Sequence, residues 1–369
     1  MKPVDIDILI VGQGLAGSLL AWELIRRGKR IAIIDDGHNT SASRTAAGLI
    51  NPLSGPRLAK IRDAETLLPT ARALYRSLEQ QFKTTFFHEK PMLRLFRTPA
   101  DVDLWQRRHA DPGTRAWLGE RWEAGQAPGG ISDRFGGFYQ HRTGYLDTGR
   151  LLDTLRDFFI DTGCYRLARL DPNQFEPTAA GGVRYEELQA RRAIFCEGYR
   201  VQYNRWFSWL PTLPIKGEIL TLRSTTPLPD AIINGGKWLI PIGDDLFRLG
   251  ATYEGERTDC LPSEEATAEL IDALSSLLDS PPKFEIVAHR VGIRPSTRDR
   301  RPLVGSHPTY SQILIFNGFG SRGVLQIPWY AARLAESIDG MNTVPPGADI
   351  RRFGSPTCPL PNAPALSRT

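Results

Sequence analysis

The chain has 369 residues, of which 41% are hydrophobic and 24% charged, a composition that excludes a disordered or collagen-like chain. Its length suits two or three domains of the usual ~100–200 residues. The formal net charge of +5 permits an anionic partner but is too small to indicate nucleic-acid binding by itself.

The first residues, MKPVDID, contain no basic start followed by an apolar run and a cleavage site, so we expect no signal peptide and a cytoplasmic protein. The longest apolar run, over residues 8–11, is far shorter than the ~20 residues that cross a bilayer. We therefore expect no membrane span. The cysteines have no metal-ligand spacing, so we expect reduced thiols and no metal site. They are Cys164, Cys196, Cys260 and Cys358.

The chain opens with a predicted strand over residues 6–11, a glycine turn over 12–17, a helix over 18–27 and a strand over 30–34. Apolar residues at helical spacing favour the helix, and Gly28 stands where glycine commonly ends one. The apolar runs of the strands are typical of parallel strands covered on both faces. Together these elements form one β-α-β unit.

The rest of the chain mixes α/β and antiparallel β patterns. The Gly- and Pro-rich stretch 111–144 is predicted to be loop-rich, and the Pro-rich tail 341–369 is predicted to be an extended wrap or a disordered end. The predicted helices are 65–82, 100–109, 146–160 and 263–278, and the predicted strands are 92–96, 193–196, 218–222, 237–240 and 246–249.

The GxGxxG turn consists of Gly12, Gly14 and Gly17. Glycines at these positions allow a tight turn, close approach of a pyrophosphate and close packing of helix on strand. Leu15 and Ala16 complete this turn, and the helix that follows points its N-terminal N–H groups and positive dipole end at the phosphates. The pattern predicts a bound dinucleotide.

Asp35 ends the next strand, about 20 residues after the turn, where a carboxylate accepts hydrogen bonds from the adenosine ribose. A carboxylate there disfavours a 2′-phosphate. Asp36 is the alternative ribose ligand. This motif alone does not distinguish NAD from FAD.

Three further segments carry a recognisable pattern: residues 41–52 (SASRTAAGLINP), 193–198 (AIFCEG) and 213–218 (LPIKGE). They resemble segments of the D-amino acid oxidase and glycine oxidase superfamily of FAD-dependent oxidoreductases. The first resembles its second phosphate and flavin loop, the second its second strand and glycine turn, and the third its crossing into the substrate domain. Glu197 departs from the second pattern, because it replaces the usual small residue or threonine.

The most specific resemblance lies near the C-terminus, in residues 291–299 (VGIRPSTRD), 302–305 (PLVG) and 317–324 (NGFGSRGV). The glycines of the last segment let backbone approach a flat ring, and a helix following it, with Pro328 expected in its first turn, would stabilise negative charge on reduced flavin. No cysteine stands in the preceding strand, residues 313–316, so the FAD is expected to be noncovalent.

The resemblance implies an α/β fold with an α+β second domain: a glutathione-reductase-like FAD-binding Rossmann domain and an antiparallel-sheet substrate domain. The FAD-binding domain is expected to comprise 1–60, 146–200 and 290–340, and the substrate domain 61–145 and 201–289. The expected FAD-binding residues are Gly12, Gly14, Leu15, Ala16, Gly17, Asp35, Asp36, Ser43, Arg44, Ala47, Gly48, Gly198, Gly318, Gly320, Ser321, Arg322, Gly323 and Val324.

For the substrate, the resemblance places Arg294 against a carboxylate, which a guanidinium holds through two parallel hydrogen bonds. Trp238 and Tyr253 are expected to line the substrate pocket. His88, His109 and His141 have no spacing for a metal site or a catalytic triad, and no general base is expected because a neutral amine can release hydride directly.

The implied function is oxidation of the C–N bond of a small amino acid or amine to an imine, with oxygen or another electron acceptor reoxidising the flavin. One alternative is FAD-dependent oxidation of a carboxymethylamino group on modified tRNA, which the positive charge favours and the absence of a methyltransferase-like region disfavours. Another is a flavin-binding protein without redox turnover, for which Glu197 is the hint. Nucleic acid is therefore not the favoured partner.

Overall fold

The structure is a computed structural model that describes residues 4–355 except 38–40, 173, 180, 244, 256 and 280–282. In chain order the strands are β1 (Val4–Val11), β2 (Ile31–Asp35), β3 (Leu49–Ile50), β4 (Leu53–Ser54), β5 (Ala59–Lys60), β6 (Phe87–Glu89), β7 (Met92–Leu95), β8 (Leu118–Trp122), β9 (Gly137–Gln140), β10 (Gly144–Leu146), β11 (Tyr165–Leu167), β12 (Phe175–Pro177), β13 (Val183–Tyr185), β14 (Leu188–Phe195), β15 (Thr212–Ser224), β16 (Ile232–Asn234), β17 (Trp238–Pro241), β18 (Leu246–Gly250), β19 (Glu254–Gly255), β20 (Phe284–Thr297), β21 (Leu303–Ser306) and β22 (Ile313–Asn317).

The α-helices are α1 (Leu15–Arg26), α2 (Ala42–Thr45), α3 (Ala64–Phe82), α4 (Pro99–Ala110), α5 (Pro112–Arg115), α6 (Thr148–Asp161), α7 (Glu264–Ser275) and α8 (Gly323–Ile338), with 3-10 helices at Gly198–Tyr203, Gly320–Arg322 and Ile350–Phe353. The predicted helices and strands are therefore confirmed with small shifts at their ends. Most of the observed strands extend beyond the short apolar runs from which they were predicted.

The first compact unit comprises Met1–Ser41, Leu152–Pro214 and Arg294–Thr369. Its sheet has β1 between β2 and β14, all parallel, with β11 parallel to β2 and β22 parallel to β14. Antiparallel strands β13 and β21 pair with β14 and β22. Apolar side chains such as Leu9, Phe195 and Ile315 are almost fully buried in its core, so the predicted α/β class is confirmed.

The second unit comprises Ala42–Leu151 and Ile215–Ile293. Its main sheet has the strand order β19-β15-β18-β17-β16-β7-β9-β8, with β20 paired to β15. Of the registered pairs, β16 and β7 are parallel and the others antiparallel. This mostly antiparallel sheet matches the expectation for the second domain.

Successive side chains of a strand point to opposite faces of a sheet, so the main sheet of the second unit has two faces. One packs Leu220, Leu239 and Leu249 against Leu270 and Leu274 of α7. We call the opposite one the Trp238 face; by strand alternation and register it carries Met92, Arg94, Gln140, Ile232, Asn234, Trp238, Ile240 and Arg248. Several of its apolar members pack together with Ala47.

The structure adds detail to two of the loop predictions. The loop-rich stretch 111–144 also contains paired strands, β8 and β9, which buried Trp122 and Phe138 anchor. The start of the tail is also ordered, since Ala348 and Ile350 are fully buried and the Val304 N–H donates to the Ala348 carbonyl over 2.9 Å. The tail beyond residue 355, including Cys358, lies outside the described residues.

The contacts divide the chain at different places from the expected domain boundaries. Residues 42–60 belong to the second unit, where β3 pairs with β10. Residues 201–214 belong to the first, where Trp206, Phe207 and Leu210 join its core. The assignment of FAD to one unit and substrate to the other stays a prediction.

Candidate functional site

The glycine turn after β1 is crowded by backbone on two sides. Gly12 has a φ of +99°, which favours glycine, and its N–H donates to the Ile34 carbonyl over 2.8 Å. A Cβ on Gly12 would lie 2.7 Å from the Cys196 carbonyl oxygen, and one on Gly17 only 1.9 Å from the Gly12 carbonyl oxygen. This tight cradle fits the predicted close approach of a pyrophosphate.

Helix α1 begins directly after that turn. Gly14 is its N-cap residue, and Leu15 and Ala16 start its first turn, which carries no acidic side chain. The positive end of the helix dipole is therefore not neutralised by a carboxylate of that turn. Such a helix terminus is well suited to bind phosphate.

Asp35, at the end of β2, holds the turn in place. Its carboxylate accepts the backbone N–H of Gln13 over 2.8 Å and that of Gly37 over 2.9 Å. The Tyr165 hydroxyl donates to it over 3.4 Å, and Arg156 Nη2 lies 3.6 Å away. Each carboxylate oxygen can accept more than one hydrogen bond, so these contacts leave capacity for a ribose hydroxyl.

A cavity of about 400 Å³, which we call the Asp35 cavity, lies beside this turn in the first unit. Gly12, Asp35 and Asp36 line one part of it, and apolar residues Ala168 and Leu170 another. Asp36 forms an ion pair with Arg200. The combination of carboxylates and apolar walls fits the adenosine part of FAD.

Glu197, the departure from the family pattern, also lines the Asp35 cavity. Its Oε2 accepts a 2.6 Å hydrogen bond from Asn204 Nδ2. Burial raises the pKa of Glu197 to about 7, and the Asn204 bond and nearby Arg200 only partly oppose this. Part of the Glu197 population is therefore neutral near neutral pH.

Replacing Glu197 with glutamine is expected to change how stability depends on pH. A carboxyl whose folded-state pKa is raised stabilises the fold fully below its unfolded value of 4.5 and loses that contribution as the pH rises through about 7. Glutamine keeps the acceptor for Asn204 but does not ionise. The Tm of Glu197→Gln relative to the unmodified protein should therefore rise between about pH 5 and about pH 8. Exposed Glu120→Gln is the control; equal profiles for the two variants would contradict the assignment.

The second glycine turn follows β22. Gly318 and Gly320 have φ values of +78° and +53°, and a Cβ on Gly318 would lie 2.9 Å from Leu303 Cγ. Asn317 connects this turn to another predicted site residue, because its Nδ2 donates to the Gly198 carbonyl over 2.9 Å. Within the first unit, the turns at Gly198 and Gly318 are thus brought together.

Helix α8 begins at Gly323, after a 3-10 turn that contains Ser321 and Arg322, and its second residue Val324 is buried. Burial, and repulsion from Arg300, lower the pKa of Arg322. The first turn of α8 has no acidic residue, so this terminus is suited to negative charge. Pro328 was expected in the first turn but lies inside the helix, because α8 starts at the glycine turn itself.

The predicted flavin loop lies in the second unit. Ser43 and Arg44 belong to the short helix α2, and Ala47 is buried against the Trp238 face. Gly48 has a φ of +72°, and a Cβ there would lie 1.8 Å from the Leu146 carbonyl oxygen. Only glycine fits at this position, where the chain turns into β3.

The three predicted substrate residues lie in different surroundings. Trp238 is partly buried at the start of β17, where it pairs with Asn234 and Gly250. Tyr253, between β18 and β19, is 69% exposed, which disfavours a core role. Arg294 lies in β20, in the first unit. Their roles in substrate binding stay predictions.

Arg248 on β18 is a candidate binding residue that was not predicted from the sequence. Its neighbours Phe247 and Leu249 point into the α7 side of the sheet, so Arg248 belongs to the Trp238 face. Its Nη1 is buried and has no hydrogen-bond partner among the described residues. Burial lowers the pKa of Arg248. The signal available in the sequence was a single arginine within an apolar strand.

Lys216 has a structural role on the α7 side. Its Nζ donates to Asp259 Oδ1 and to the Leu261 carbonyl, both over 2.7 Å, and lies 3.3 Å from Glu218 Oε1. Both Lys216 and Glu218 are almost fully buried. Glu218 in turn accepts the hydroxyl of Ser263, the N-cap of α7, over 2.9 Å.

Two of the histidines considered from the sequence lie against aromatic rings. His88 stacks on Tyr145 with ring centroids 4.6 Å apart, and burial lowers its pKa; His109 stacks on Trp105 at 4.7 Å. Among the described residues there is no group of histidines, cysteines or carboxylates able to hold a metal, and Cys164, Cys196 and Cys260 are unbridged. No helix in the described ranges is both long and apolar enough to span a membrane.

The model of the DAO family, described as FAD dependent oxidoreductase, matches residues 7–337. A glycine oxidase from Pseudomonas aeruginosa is 23% identical over 358 residues, covering 91% of this chain and 96% of the relative. The tRNA 5-methylaminomethyl-2-thiouridine biosynthesis bifunctional protein MnmC of Marinobacter nauticus is 26% identical over 365 residues, covering 90% of this chain but only 55% of the relative.

The crystal structure of glycine oxidase from Geobacillus kaustophilus superposes with a TM-score of 0.80 at 21% identity and covers 96% of this chain and 99% of that one. The iminodiacetate oxidase of Chelativorans sp. BNC1 superposes with a TM-score of 0.77 at 21% identity, over 95% and 98% of the two chains. At such identities the likeness establishes the fold, and it confirms the expected FAD-binding Rossmann architecture.

Proposed function

Since the chain belongs to the DAO family of FAD-dependent oxidoreductases, we propose that it oxidises the C–N bond of a small amino acid or related amine to an imine. Similarity to glycine oxidases along nearly their whole length carries this proposal. Water then hydrolyses the imine to a carbonyl compound and ammonia or a smaller amine. Oxygen or another acceptor completes the cycle by reoxidising the cofactor.

The residues proposed to hold FAD have the chemistry that its pyrophosphate and ribose require. The cradle at Gly12 and Gly17 and the start of α1 would take the pyrophosphate, and Asp35 the ribose. The α8 terminus at Gly323 is proposed for the flavin ring, and Ser43, Arg44, Ala47 and Gly48 remain FAD-binding residues predicted from the sequence. When bound, FAD supplies the acceptor for the hydride that leaves the carbon bearing the amine.

Arg294 is proposed to bind the substrate carboxylate and thereby to orient the α-carbon. A planar guanidinium forms two parallel hydrogen bonds with a carboxylate, which fixes orientation as well as position. Trp238 and Tyr253 are proposed as pocket walls. The protein's own contribution is then alignment and electrostatics, without a proton-accepting side chain.

Turnover is expected to rise with pH as the substrate amine loses its proton, because only the neutral nitrogen has the lone pair that expels hydride. No histidine is needed for this step. We therefore expect His88→Ala, His109→Ala and His141→Ala each to retain flavin reduction and the same pH profile. Loss of reduction in any of these variants, with the protein still folded, would show that a histidine acts as base.

A second candidate function is supported by the similarity to MnmC: oxidation of a carboxymethylamino group on modified tRNA. The charge of +5 is compatible with a polyanion. Binding of tRNA that weakens steeply with added salt would favour it, since phosphate contacts release counterions. Salt-insensitive or absent tRNA binding would leave small amines as the substrate class.

The proposed function is tested by incubating FAD-loaded protein in air with a panel of amino acids and N-alkyl amino acids. At least one is expected to yield a carbonyl product together with ammonia or an amine, with a reduced acceptor formed in equal amount. Failure of the whole panel, with either oxygen or an artificial acceptor, would favour a flavin-binding protein without redox turnover.

A further inference from the structure

A second cavity, which we call the Arg94 cavity, lies entirely within the second unit and has a volume of about 290 Å³. Arg94, Phe138 and Asn234 contribute from the sheet, Arg97 from just before α4, and Asp101 from the first turn of that helix. Further lining comes from Asn51, at the end of the predicted flavin loop, and from residues 55–58 beyond it. Its volume is close to the lower limit of ~300 Å³ for ligand pockets, so it suits a small molecule or part of one.

Arg94 is anchored in this cavity by neutral groups. Its Nη1 donates to the Leu53 carbonyl over 2.9 Å and to Gln140 Oε1 over 3.3 Å, and its Nη2 donates to the Gly55 carbonyl over 3.1 Å. No carboxylate among the described residues is within ion-pair distance of Arg94. Burial, and repulsion from Arg97, lower its pKa to about 10. A guanidinium held in this way is fixed in position while its charge is not neutralised by a partner.

The other polar groups of the cavity add donors and little negative charge. The Asp101 carboxylate accepts the backbone N–H groups of Arg97 and Thr98 over 2.9 and 3.0 Å, in the capping box of α4. Asn51 Oδ1 accepts from Gln140 Nε2 over 2.6 Å and from the Leu53 N–H over 3.1 Å. Its amide NH₂ is therefore the group left to donate. With two arginines and one aspartate, the lining has one positive charge in excess.

The position of the cavity links it to the candidate substrate wall. In the sheet register, Arg94 pairs with Asn234, and Asn234 pairs with Trp238. All three side chains lie on the Trp238 face, in one row. Since neighbouring strands are about 4.8 Å apart, the row from Trp238 to Arg94 spans roughly 9–10 Å.

We propose that the Arg94 cavity binds a second acidic group of the substrate, a carboxylate or a phosphate, so that the oxidised amine is a compound with an additional distal acid. This inference rests on the proposed function, because it takes Trp238 as a wall of the substrate pocket. Arg94 is the main ligand of the acid, and Arg97 and the Asn51 and Asn234 amides assist it. A simple monoacid such as glycine would leave the charge of partly buried Arg94 without a counter-charge, which is unfavourable.

Binding can be tested separately from oxidation. FAD-loaded protein is titrated by calorimetry with glutarate, a dicarboxylate that has no amine, with inorganic phosphate, and with butyrate as the monoacid. We expect glutarate or phosphate to bind and Arg94→Gln to weaken that binding about tenfold or more. Arg97→Gln should cause a smaller loss, because Arg97 is exposed. Arg107→Gln removes the same charge from an exposed position of α4 and should have no effect.

The outcomes separate the two acids and the two proposals. If glutarate affinity falls in the Arg94 and Arg97 variants, the cavity is a carboxylate site; if phosphate affinity falls in them, it is a phosphate site. The inference is overturned if neither variant alters the affinity for either anion, or if neither anion binds more tightly than butyrate. Anaerobic flavin reduction by glycine and by both enantiomers of glutamate is then compared. If glycine reduces the flavin but no anion uses the cavity, only this inference fails. If the cavity binds anions but no amine reduces the flavin, only the proposed function fails.

Discussion

Gly17→Ala is expected to abolish FAD binding and to destabilise the protein strongly. The new Cβ would lie 1.9 Å from the Gly12 carbonyl oxygen. The position of the Cβ is fixed by the helix backbone and the oxygen is itself a backbone atom, so no side-chain rotation relieves the clash. Helix α1 would have to move off β1, which opens the cradle proposed for the pyrophosphate. The cost should reach or exceed the ~1–3 kcal/mol typical of overpacking. FAD released on denaturation and the free energy of unfolding in urea measure the two effects.

Gly28→Asn is the matched control for that substitution. Gly28 ends the same helix with a φ of +74°, and a Cβ there would meet nothing within 4 Å. Asparagine tolerates this backbone conformation better than other residues with a side chain. The control should keep its FAD. A Gly17→Ala protein with full FAD content and unchanged stability would contradict the assignment of this turn to the cofactor.

Arg294→Lys is expected to lower kcat/KM for a carboxylate substrate roughly ten- to a few-hundredfold, since charge-assisted hydrogen bonds contribute about 1.5–3 kcal/mol. Lysine keeps the charge but loses the planar pair of donors, so the α-carbon is held less well. For an amine substrate without a carboxylate, kcat/KM should change little in this variant. Steady-state kinetics with both substrate types measure this difference.

Arg298→Lys, at an exposed position shortly after β20, is the control and should leave kcat/KM unchanged. FAD content and Tm should be the same in both variants. If Arg294→Lys keeps full activity on carboxylate substrates, or loses its flavin and unfolds, then Arg294 is a structural residue. The assignment of an amino acid as substrate would then lose the residue that mainly supports it.

Much of the fold follows from local signals in the sequence. The β1-α1-β2 unit was predictable because its glycines, apolar strands and helical stripe act over short distances, and the observed bounds differ by only a few residues. The first unit's parallel sheet, with β14 beside β1, was expected from the family resemblance instead. No local sequence pattern predicts that two strands nearly 200 residues apart will pair.

The missed features depend on long-range packing. β8 and β9 were hidden in a Gly- and Pro-rich stretch, because their stability comes from pairing with each other and with β7. Arg94 and Arg248 could not be recognised as members of one face until the strand register was known. The Asp35 and Arg94 cavities likewise depend on loops whose positions are not encoded in any single motif.

We expect this flavoprotein to take a hydride from a carbon bearing an amine. The most direct measurement is the rate at which the flavin absorbance of FAD-loaded protein bleaches when an amine is added without oxygen, using the amine with hydrogen and with deuterium on that carbon. We expect complete bleaching, one equivalent of imine-derived carbonyl per flavin, and slower bleaching with deuterium. A flavin that stays oxidised with every amino acid and amine tested, yet is bleached by dithionite, would contradict the claim.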